Sequence, residues 1–203
     1  MIYNDIEENP SVETVYIAAT AAVKKGVDLF VAVGGGSPMD ASKAISMLAK
    51  NGIVCENAEF SENAGVIKAE KCDVSDSIGR VEELLYTSAQ LPFYPIVCVP
   101  TTCGTGSEAT PYSILTSHIK QTKKSIAHKI FPSLALVDYR YLKTSSYSGM
   151  KSTCVDSLAH MIESRLNTNA NTFSRAYAEE GMRLWASCKG CLETVSYTHL
   201  TLP

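Results

Sequence analysis

The chain has 203 residues, of which 45% are hydrophobic and 19% are charged, and its formal net charge is -3. This composition is typical of a soluble globular protein that forms one or two domains around a sizeable core. The slight acidity gives no reason to expect nucleic acid or an anionic membrane as a partner, and no stretch approaches the roughly 20 apolar residues that cross a bilayer. The first residues lack the basic and apolar regions of a signal peptide, so we expect a cytoplasmic protein. Seven cysteines without a regular framework indicate reduced thiols in that compartment.

The first elements in chain order are predicted to be a helix, a strand and a second helix. Apolar residues recur at helical spacing over residues 12–23, after a start signal at Ser11 and before a stop at Gly26. Residues 29–33 are an unbroken apolar run, which predicts a strand buried on both faces, as in a parallel sheet. Residues 38–49 return to the helical period, and Asn51-Gly52 is predicted to end this second helix. This order is typical of a layered α/β domain.

A glycine turn, GGGSPMD, joins that strand to the second helix. The three glycines at 34–36 remove the Cβ atoms that would keep a ligand away from the backbone. Ser37 is predicted to cap the helix, with Pro38 at its first position and Asp40 beside the free amides. The free N–H groups and the helix dipole favour an anion such as a pyrophosphate. The spacing is not the dinucleotide GxGxxG, so an ordinary glycine-rich turn stays the alternative.

The middle of the chain contains a second loop of the same kind. Residues 53–94 are less regular and are predicted to be a long, partly helical excursion, with one helical patch at 81–85. A buried strand is predicted over 96–99, and it leads into a loop rich in threonine and glycine at 100–108. Loops at the carboxyl ends of parallel strands bind ligands in open α/β sheets, so we predict one crevice lined by both loops. A plain turn is an equally good interpretation of this loop alone.

Three more strands follow. Residues 112–116 and 124–130 are predicted to form a short antiparallel pair, and residues 133–137 a third apolar strand that ends at Asp138.

The character of the chain changes near Gly149, after which helices are predicted over 150–164 and 173–189. We therefore predict an α/β domain in residues 1–149 and the first helices of another domain in 150–192. Residues 193–203 share no pattern with the rest and are interpreted as a non-native tail.

Asp156 and His160 are four residues apart, so both side chains lie on one face of the predicted helix. A carboxylate and an imidazole in this arrangement can chelate a divalent metal, and Glu163 could orient them. A local Asp–His hydrogen bond on a solvated face is the simpler interpretation, because a catalytic metal needs three or more ligands.

The other histidines and cysteines give weaker signals. His118 and His128 flank the charged hairpin and are expected to be exposed. Cys188 and Cys191 form a CxxC without a second pair, which does not favour a metal or redox site. Cys103 lies in the Thr/Gly loop, but no histidine can be assigned to it, so a thiolate nucleophile is not favoured.

Four motifs together resemble the iron-containing (group III) alcohol dehydrogenase family, which is related to glycerol dehydrogenase and dehydroquinate synthase. They are AVGGGSPMDASKAI at residues 32–45, VPTTCGTGSEAT at 99–110, ALVDY at 135–139 and VDSLAHMIES at 155–164. The resemblance runs from about residue 9 to residue 189. It implies a Rossmann-like layered parallel-sheet domain, incomplete at its N-terminus, followed by the start of an all-helical domain.

The resemblance also implies a coenzyme site. The family's glycine turn holds the dinucleotide pyrophosphate, which falls on Gly35, Gly36 and Ser37, with Asp40 beside them.

The family's Thr-rich loop lines the coenzyme near its nicotinamide, which falls on Thr101, Thr102 and Thr105. A lysine after the hairpin turn approaches the coenzyme in relatives. Lys124 is taken as its counterpart, with Lys123 as the alternative.

A divalent metal, iron first and zinc second, is implied by the same resemblance. The family binds it through one aspartate and three histidines, and Asp156 and His160 match the first two ligands. Family members carry an αβ segment before this region and most of a helical domain after it, so we expect an internal fragment of a longer enzyme. Cys154 also replaces the glycine that is usual before the Val-Asp pair.

The resemblance implies an oxidoreductase that transfers a hydride between an alcohol, or an aldehyde or ketone, and NAD or NADP. The metal would polarise the substrate oxygen. The full-length protein is expected to be a homo-oligomer, and the fragment itself is expected to be inactive. The alternatives are a lyase similar to dehydroquinate synthase and a nucleotide-binding remnant without catalysis.

Overall fold

The computed structural model describes residues 1–188, except for the side chain of Thr144. The predicted tail at 193–203 and Cys191 lie outside the described residues. The chain divides into two compact units, residues 1–99 with 107–136, and residues 100–106 with 137–203. The division into domains at 1–149 and 150–192 stays a prediction.

The first unit contains three α-helices, a short 3-10 helix (Ser107–Ala109) and eight short strands. The helices are α1 (Val12–Lys24), α2 (Gly36–Lys50) and α3 (Ile78–Tyr86). The strands are β1 (Ile2–Tyr3), β2 (Phe30–Gly34), β3 (Glu59–Asn63), β4 (Val66–Lys71), β5 (Ile96–Pro100, whose last residue belongs to the second unit), β6 (Ile114–Ser117), β7 (Thr122–Ser125) and β8 (Leu134–Ala135).

The central sheet has the strand order β2-β5-β8, and β5 and β8 run parallel. These are the strands predicted at 29–33, 96–99 and 133–137, with small shifts of their ends. Helix α2 packs on β2, and α1 packs on α2. The Rossmann-like α/β class is therefore confirmed. The core is a cluster of buried side chains from α1, α2, α3, β5 and β6. Its largest members include Tyr16, Met39, Met47, Leu48, Leu85, Ile96 and Leu115.

Strand β2 is buried on one face only, so the prediction of burial on both faces is wrong. Ala32 is 5% exposed, whereas Val31 and Val33 are 59% and 61% exposed. Alternate side chains point to opposite faces of a sheet, and the face that carries Phe30 and Ala32 packs against the buried core. The apolar run could not reveal this one-sided burial. Apolar residues show that both faces of a strand can be buried, but they do not show that other elements cover both faces.

The ends of α1 and α2 follow the predicted signals at three of four positions. The Ser11 hydroxyl accepts a hydrogen bond from the Thr14 amide and caps α1. Gly26 and Gly52 adopt positive φ just beyond the ends of the two helices. The start of α2 differs from the prediction and is described with the functional site.

The irregular excursion at 53–94 contains an antiparallel hairpin, β3 with β4, and β1 pairs in parallel with β4. The predicted helical patch at 81–85 lies within α3. The sequence did not reveal the hairpin, because most side chains of β3 and β4 are exposed and the period of two is weak.

The predicted antiparallel pair is present as β6 with β7, but the second strand is Thr122–Ser125 rather than 124–130, so its prediction overlaps the strand by two residues only. His118, near the turn of this hairpin, is 64% exposed. His128 is 2% exposed, so the expectation that it is exposed is wrong. Its Nδ1 accepts from the Leu91 amide and its Nε2 lies 2.8 Å from the Leu84 carbonyl oxygen, contacts that satisfy both ring nitrogens inside the protein.

Within residues 137–188, the second unit contains a short 3-10 helix (Tyr139–Thr144) and two α-helices, α4 (Tyr147–Leu166) and α5 (Thr172–Cys188), which pack on each other. Both predicted helices are confirmed, and α4 is longer than predicted. Phe173 and Tyr177 on α5 remain 76% and 79% exposed. Over residues 1–188, no helix has the length and apolar character needed to cross a membrane.

Candidate functional site

The glycine turn at the start of α2 has a tighter geometry than predicted. The N-cap is Gly35, not Ser37, so the prediction of a Ser37 cap is wrong. Gly34 has φ of +144°, and a Cβ on it would lie 2.6 Å from Cγ of Pro38. Because only glycine adopts this conformation readily, the chain reverses immediately after β2 and α2 begins two residues earlier. Gly36 and Ser37 therefore lie in the first turn, where backbone N–H groups have no acceptor within the helix.

Ser37 is linked through Asn9 to a lysine of the hairpin. The Ser37 hydroxyl accepts a hydrogen bond from the Asn9 amide at 3.2 Å, and the Lys123 ammonium donates to Oδ1 of Asn9. The Lys124 ammonium instead lies 5.3 Å from the ring centroid of Tyr86. Neighbouring residues of a strand point to opposite faces, so only one of the two lysines can approach the glycine turn from β7. The contact with Asn9 identifies that lysine as Lys123.

Asp40 is engaged inside the first unit. Its Oδ1 accepts from the Ser107 hydroxyl at 2.6 Å, and its Oδ2 accepts from the Ile114 amide at 2.9 Å. The Lys43 ammonium lies 3.6 Å from Oδ1. Both carboxylate oxygens thus hold the segment that begins at Ser107 against α2.

Lys43 completes this connection. Its side chain is fully buried, and its ammonium donates to the Ser107 carbonyl oxygen (2.9 Å), the Ser107 hydroxyl (2.8 Å) and the Tyr112 carbonyl oxygen (2.6 Å). Burial lowers the pKa of Lys43, while the charge of Asp40 opposes this shift. Sequence reasoning missed Lys43. The available signal was its position three residues after Asp40, which places the two side chains next to each other on one helix face.

In the second unit, the loop at 100–106 packs on the helix that carries the predicted metal ligands. A Cβ on Gly104 would lie 2.7 Å from Oδ2 of Asp156 and 2.9 Å from the Thr153 carbonyl oxygen. Nδ1 of His160 lies 3.3 Å from the Gly104 carbonyl oxygen. The absence of a side chain at Gly104 therefore allows this loop to contact both predicted ligands.

Asp156 and His160 lie together, as their spacing on α4 predicts. Oδ2 of Asp156 and Nδ1 of His160 are 3.8 Å apart, and the side chains are 43% and 50% exposed. A nitrogen and an oxygen ligand suit Fe²⁺ or Zn²⁺, and the two side chains lie on one face of α4. Residues 1–188 hold no group of three or more histidine, cysteine, aspartate or glutamate side chains that could bind a metal. The pair thus fits two ligands of a metal site, and the orienting role of Glu163 stays a prediction.

The predicted coenzyme residues of the Thr/Gly loop differ in exposure. Thr101 and Thr102 are half-buried and Thr105 is exposed. The Thr101 carbonyl oxygen accepts from the Ser145 hydroxyl at 3.3 Å. Sγ of Cys103 lies 3.5 Å from the Thr153 hydroxyl. The crevice predicted between this loop and the glycine turn stays a prediction.

The chain is similar in sequence and in structure to known alcohol dehydrogenases. Residues 1–139 match the family model described as iron-containing alcohol dehydrogenase. The chain is similar to an NAD-dependent methanol dehydrogenase of Bacillus methanolicus, with 30% identity over 175 residues, covering 82% of this chain and 39% of that protein.

Solved structures give the same result. The chain is similar to an iron-containing alcohol dehydrogenase from Thermotoga maritima, with a TM-score of 0.77, 31% identity and coverage of 98% of this chain and 48% of that one. It is also similar to a sulfoacetaldehyde reductase from Bifidobacterium kashiwanohense in complex with NAD+, with a TM-score of 0.75, 25% identity and coverage of 97% and 46%. The chain spans less than half the length of each of these relatives. On the family match, the shared fold and the shared identity, the chain belongs to the iron-containing alcohol dehydrogenase family.

Proposed function

We propose that the whole protein is an NAD(P)-dependent, metal-containing alcohol dehydrogenase that transfers a hydride between a small alcohol, or an aldehyde or ketone, and the nicotinamide. The observation that carries the proposal is the packing of Gly104 on Asp156 and His160, which joins the Thr/Gly loop to two metal-ligand side chains. The similarity to an NAD-dependent methanol dehydrogenase supports the same reaction class. We further propose a cytoplasmic homo-oligomer.

In this proposal Asp156 and His160 are two of the four ligands that the family resemblance implies. We place the other two outside residues 1–188, because the described residues hold no group of three or more such side chains. A bound Fe²⁺, or Zn²⁺ as the second choice, supplies a Lewis acid that lowers the pKa of an alcohol. The contribution of this chain is to hold one carboxylate and one imidazole on the same helix face.

The coenzyme is proposed to bind at Gly35, Gly36 and Ser37, whose backbone N–H groups point out of the first turn of α2 and favour a pyrophosphate. Thr101, Thr102 and Thr105 are proposed to line its nicotinamide end.

Asp40 positions the turn rather than the phosphate in this proposal, because protein donors occupy both its oxygens. Lys124 is the lysine that the resemblance first suggested, but the Asn9 contact favours Lys123 as the coenzyme ligand.

Metal titration tests the proposed ligands. Zinc binding is measured by calorimetry on the chain and on Asp156→Ala and His160→Ala, with Glu180→Ala, which removes an exposed carboxylate of α5 that pairs with Arg183, as the control. Each ligand variant should lose roughly tenfold or more in affinity, the effect typical of metal-site substitutions, and the control should not. Equal zinc affinity in Asp156→Ala and in the unaltered chain would refute the assignment.

Turnover tests the need for further ligands. We expect the chain to show no alcohol-dependent reduction of NAD or NADP with added iron or zinc, and the whole protein to show it. Turnover by the chain that is lost in Asp156→Ala would contradict this expectation, because two ligands would then suffice.

NADH titration followed by fluorescence tests the coenzyme site. Lys123→Ala should weaken binding about 10-fold, the loss of one charge-assisted hydrogen bond, whereas Lys124→Ala and the exposed control Lys68→Ala should have little effect. A larger loss in Lys124→Ala than in Lys123→Ala would reverse the assignment of the two lysines.

A second candidate for the chain by itself is nucleotide binding without catalysis. It is favoured by the presence of a formed glycine turn together with only two metal-ligand side chains in residues 1–188. NADH binding without turnover, in a chain that still binds zinc weakly, is the result that this candidate predicts.

A further inference from the structure

Two thiols from distant parts of the first unit meet at the loop that follows α2. Sγ of Cys72 lies 3.3 Å from Sγ of Cys55, and the Cys55 thiol lies 3.4 Å from the Asp73 carbonyl oxygen. Both cysteines are free thiols. This contact belongs neither to the metal pair nor to the glycine turn.

The surroundings hold one thiol in place and leave the other approachable. The Cys55 amide donates to the buried Thr20 hydroxyl of α1 at 2.9 Å, and Cys55 is 4% exposed. Cys72 directly follows β4 and is half-buried. Because Cys72 is more exposed than Cys55, a small reagent reaches Cys72 first, with Cys55 fixed beside it as the resolving thiol.

We infer that Cys55 and Cys72 form a reversible dithiol–disulfide modification site, which a low-molecular-weight disulfide of the glutathione type oxidises. The Cys72 thiolate attacks one sulfur of that disulfide, and the first small thiolate leaves. The Cys55 thiolate then attacks Sγ of Cys72 and displaces the second small thiolate. The two protons released by the cysteines end on the two small thiols, so the protein loses two hydrogens and the reagent gains them.

The electrostatics favour the bridge at equilibrium but not its fast formation. Burial, followed by the hydrogen bond to Cys55, raises the pKa of Cys72 to about 12. A disulfide is strongly oxidising when the protein stabilises the thiolate of its reduced form. The raised pKa shows that the protein does not stabilise the Cys72 thiolate, so the bridge is weakly oxidising and is favoured at equilibrium. The other titratable groups that face the pair are Lys24 on α1, Asp73 after β4, and the phenols of Tyr3 and Tyr16. Oxidation should therefore be slow at neutral pH and faster in alkali.

The bridge would close residues 55–72 into a loop that contains the β3–β4 hairpin. It would fix the end of β4 to the segment that follows α2. The hairpin is mostly exposed, so its resistance to proteolysis reports this constraint directly.

The test is equilibration of the intact chain with mixtures of oxidised and reduced glutathione, acid quenching, alkylation of remaining thiols and peptide mass spectrometry. We expect a linked Cys55–Cys72 peptide pair with a mass lower by two hydrogens, reversed by excess reduced glutathione. The exposed Cys103 is an internal control. It should form a mixed disulfide with glutathione, which shows that the oxidant was active. Cys98→Ser, at a buried cysteine of β5, should leave the bridge unchanged, and Cys72→Ser should abolish it.

The measurement on the unaltered chain decides the proposal even if a variant fails to fold. Glutathione on Cys103 with free thiols at Cys55 and Cys72 at equilibrium would overturn it. A bridge from Cys55 to another cysteine, or a bridge that forms only in denaturant, would overturn it as well.

Discussion

Replacing Lys43 by methionine removes the ammonium that joins α2 to the segment starting at Ser107. Methionine keeps most of the length and apolar volume of the side chain, so the change tests the charge and its hydrogen bonds rather than the packing. Three contacts of 2.6–2.9 Å are lost, two to backbone carbonyl oxygens and one to the Ser107 hydroxyl. Asp40 keeps its bonds from Ser107 and Ile114 but loses its nearby positive charge.

The size of the effect follows from burial. Removing one partner of a buried charge pair typically costs about 3–5 kcal/mol, because the other polar groups stay buried and partly unpaired. Lys43 is fully buried and Asp40 is only 16% exposed, so this range applies without a discount for solvent. For a chain of this size, about 2–4 °C of melting temperature is lost per kcal/mol. The melting temperature should therefore fall by roughly 6–20 °C.

The assay is thermal and urea unfolding followed by circular dichroism, with Lys50→Met as the matched control. Lys50 lies at the end of the same helix, is exposed, and has its ammonium 4.3 Å from the ring centroid of Tyr94. An exposed contact of this kind contributes about 0.5–1 kcal/mol. The reasoning is refuted if Lys43→Met and Lys50→Met lower the free energy of unfolding by the same amount.

The difference in stability between the unaltered chain and Lys43→Met should change with pH in a definite direction. Burial lowers the native pKa of Lys43 below its ordinary value of 10.5. Between the native and the ordinary pKa, the native state has released a proton that the unfolded state still holds. The stability of the unaltered chain relative to Lys43→Met should therefore rise with pH across this window, and a fall would contradict burial as the dominant cause.

Two further substitutions test the second unit. In Gly104→Ala the new Cβ would lie 2.9 Å from the Thr153 carbonyl oxygen and 2.7 Å from Oδ2 of Asp156, so the backbone must move. We expect the free energy of unfolding to fall by about 1–3 kcal/mol in thermal unfolding, and zinc to bind more weakly in calorimetry. Unchanged zinc affinity would show that the loop does not organise the metal pair. In Arg140→Ala, Asp138 loses the guanidinium hydrogen bonds that hold its pKa at about 2, so its carboxyl titration followed by NMR should move up toward 3.8. An unmoved titration midpoint would contradict that cause. The lowered pKa of Asp138 stabilises the fold above about 3.8, and this contribution is lost as the pH falls through about 2.

Local signals predicted the regular elements well, because they act within a few residues. The Ser11 cap, the positive-φ glycines after α1 and α2, and the apolar periods of both helices all depend on neighbours along the chain. The same locality explains the Ser37 error. The residues around Ser37 satisfy every preference for a helix cap, but the conformation of Gly34 allows the helix to begin at Gly36, before Ser37.

Burial was harder to predict, because it depends on what packs against a residue. Val31 and Val33 belong to a run that suits a strand covered on both sides, yet they are exposed. His128 follows a charged hairpin, yet it is buried, and its ring nitrogens contact the backbones of Leu84 and Leu91. Neither outcome has a signal in the nearby sequence.

By itself, the sequence determined the family, the two glycine-containing loops and the placement of Asp156 and His160 on one helix face, since four-residue spacing and motif order are properties of the chain. Only the tertiary structure decided which groups meet across long separations. Asp40 and Lys43 bind a segment more than 60 residues away, Lys123 rather than Lys124 reaches Asn9, and Cys55 meets Cys72. The physical reason is that a backbone turn or a helix period is set by adjacent residues, whereas a buried ammonium or thiol is positioned by whatever the fold places against it.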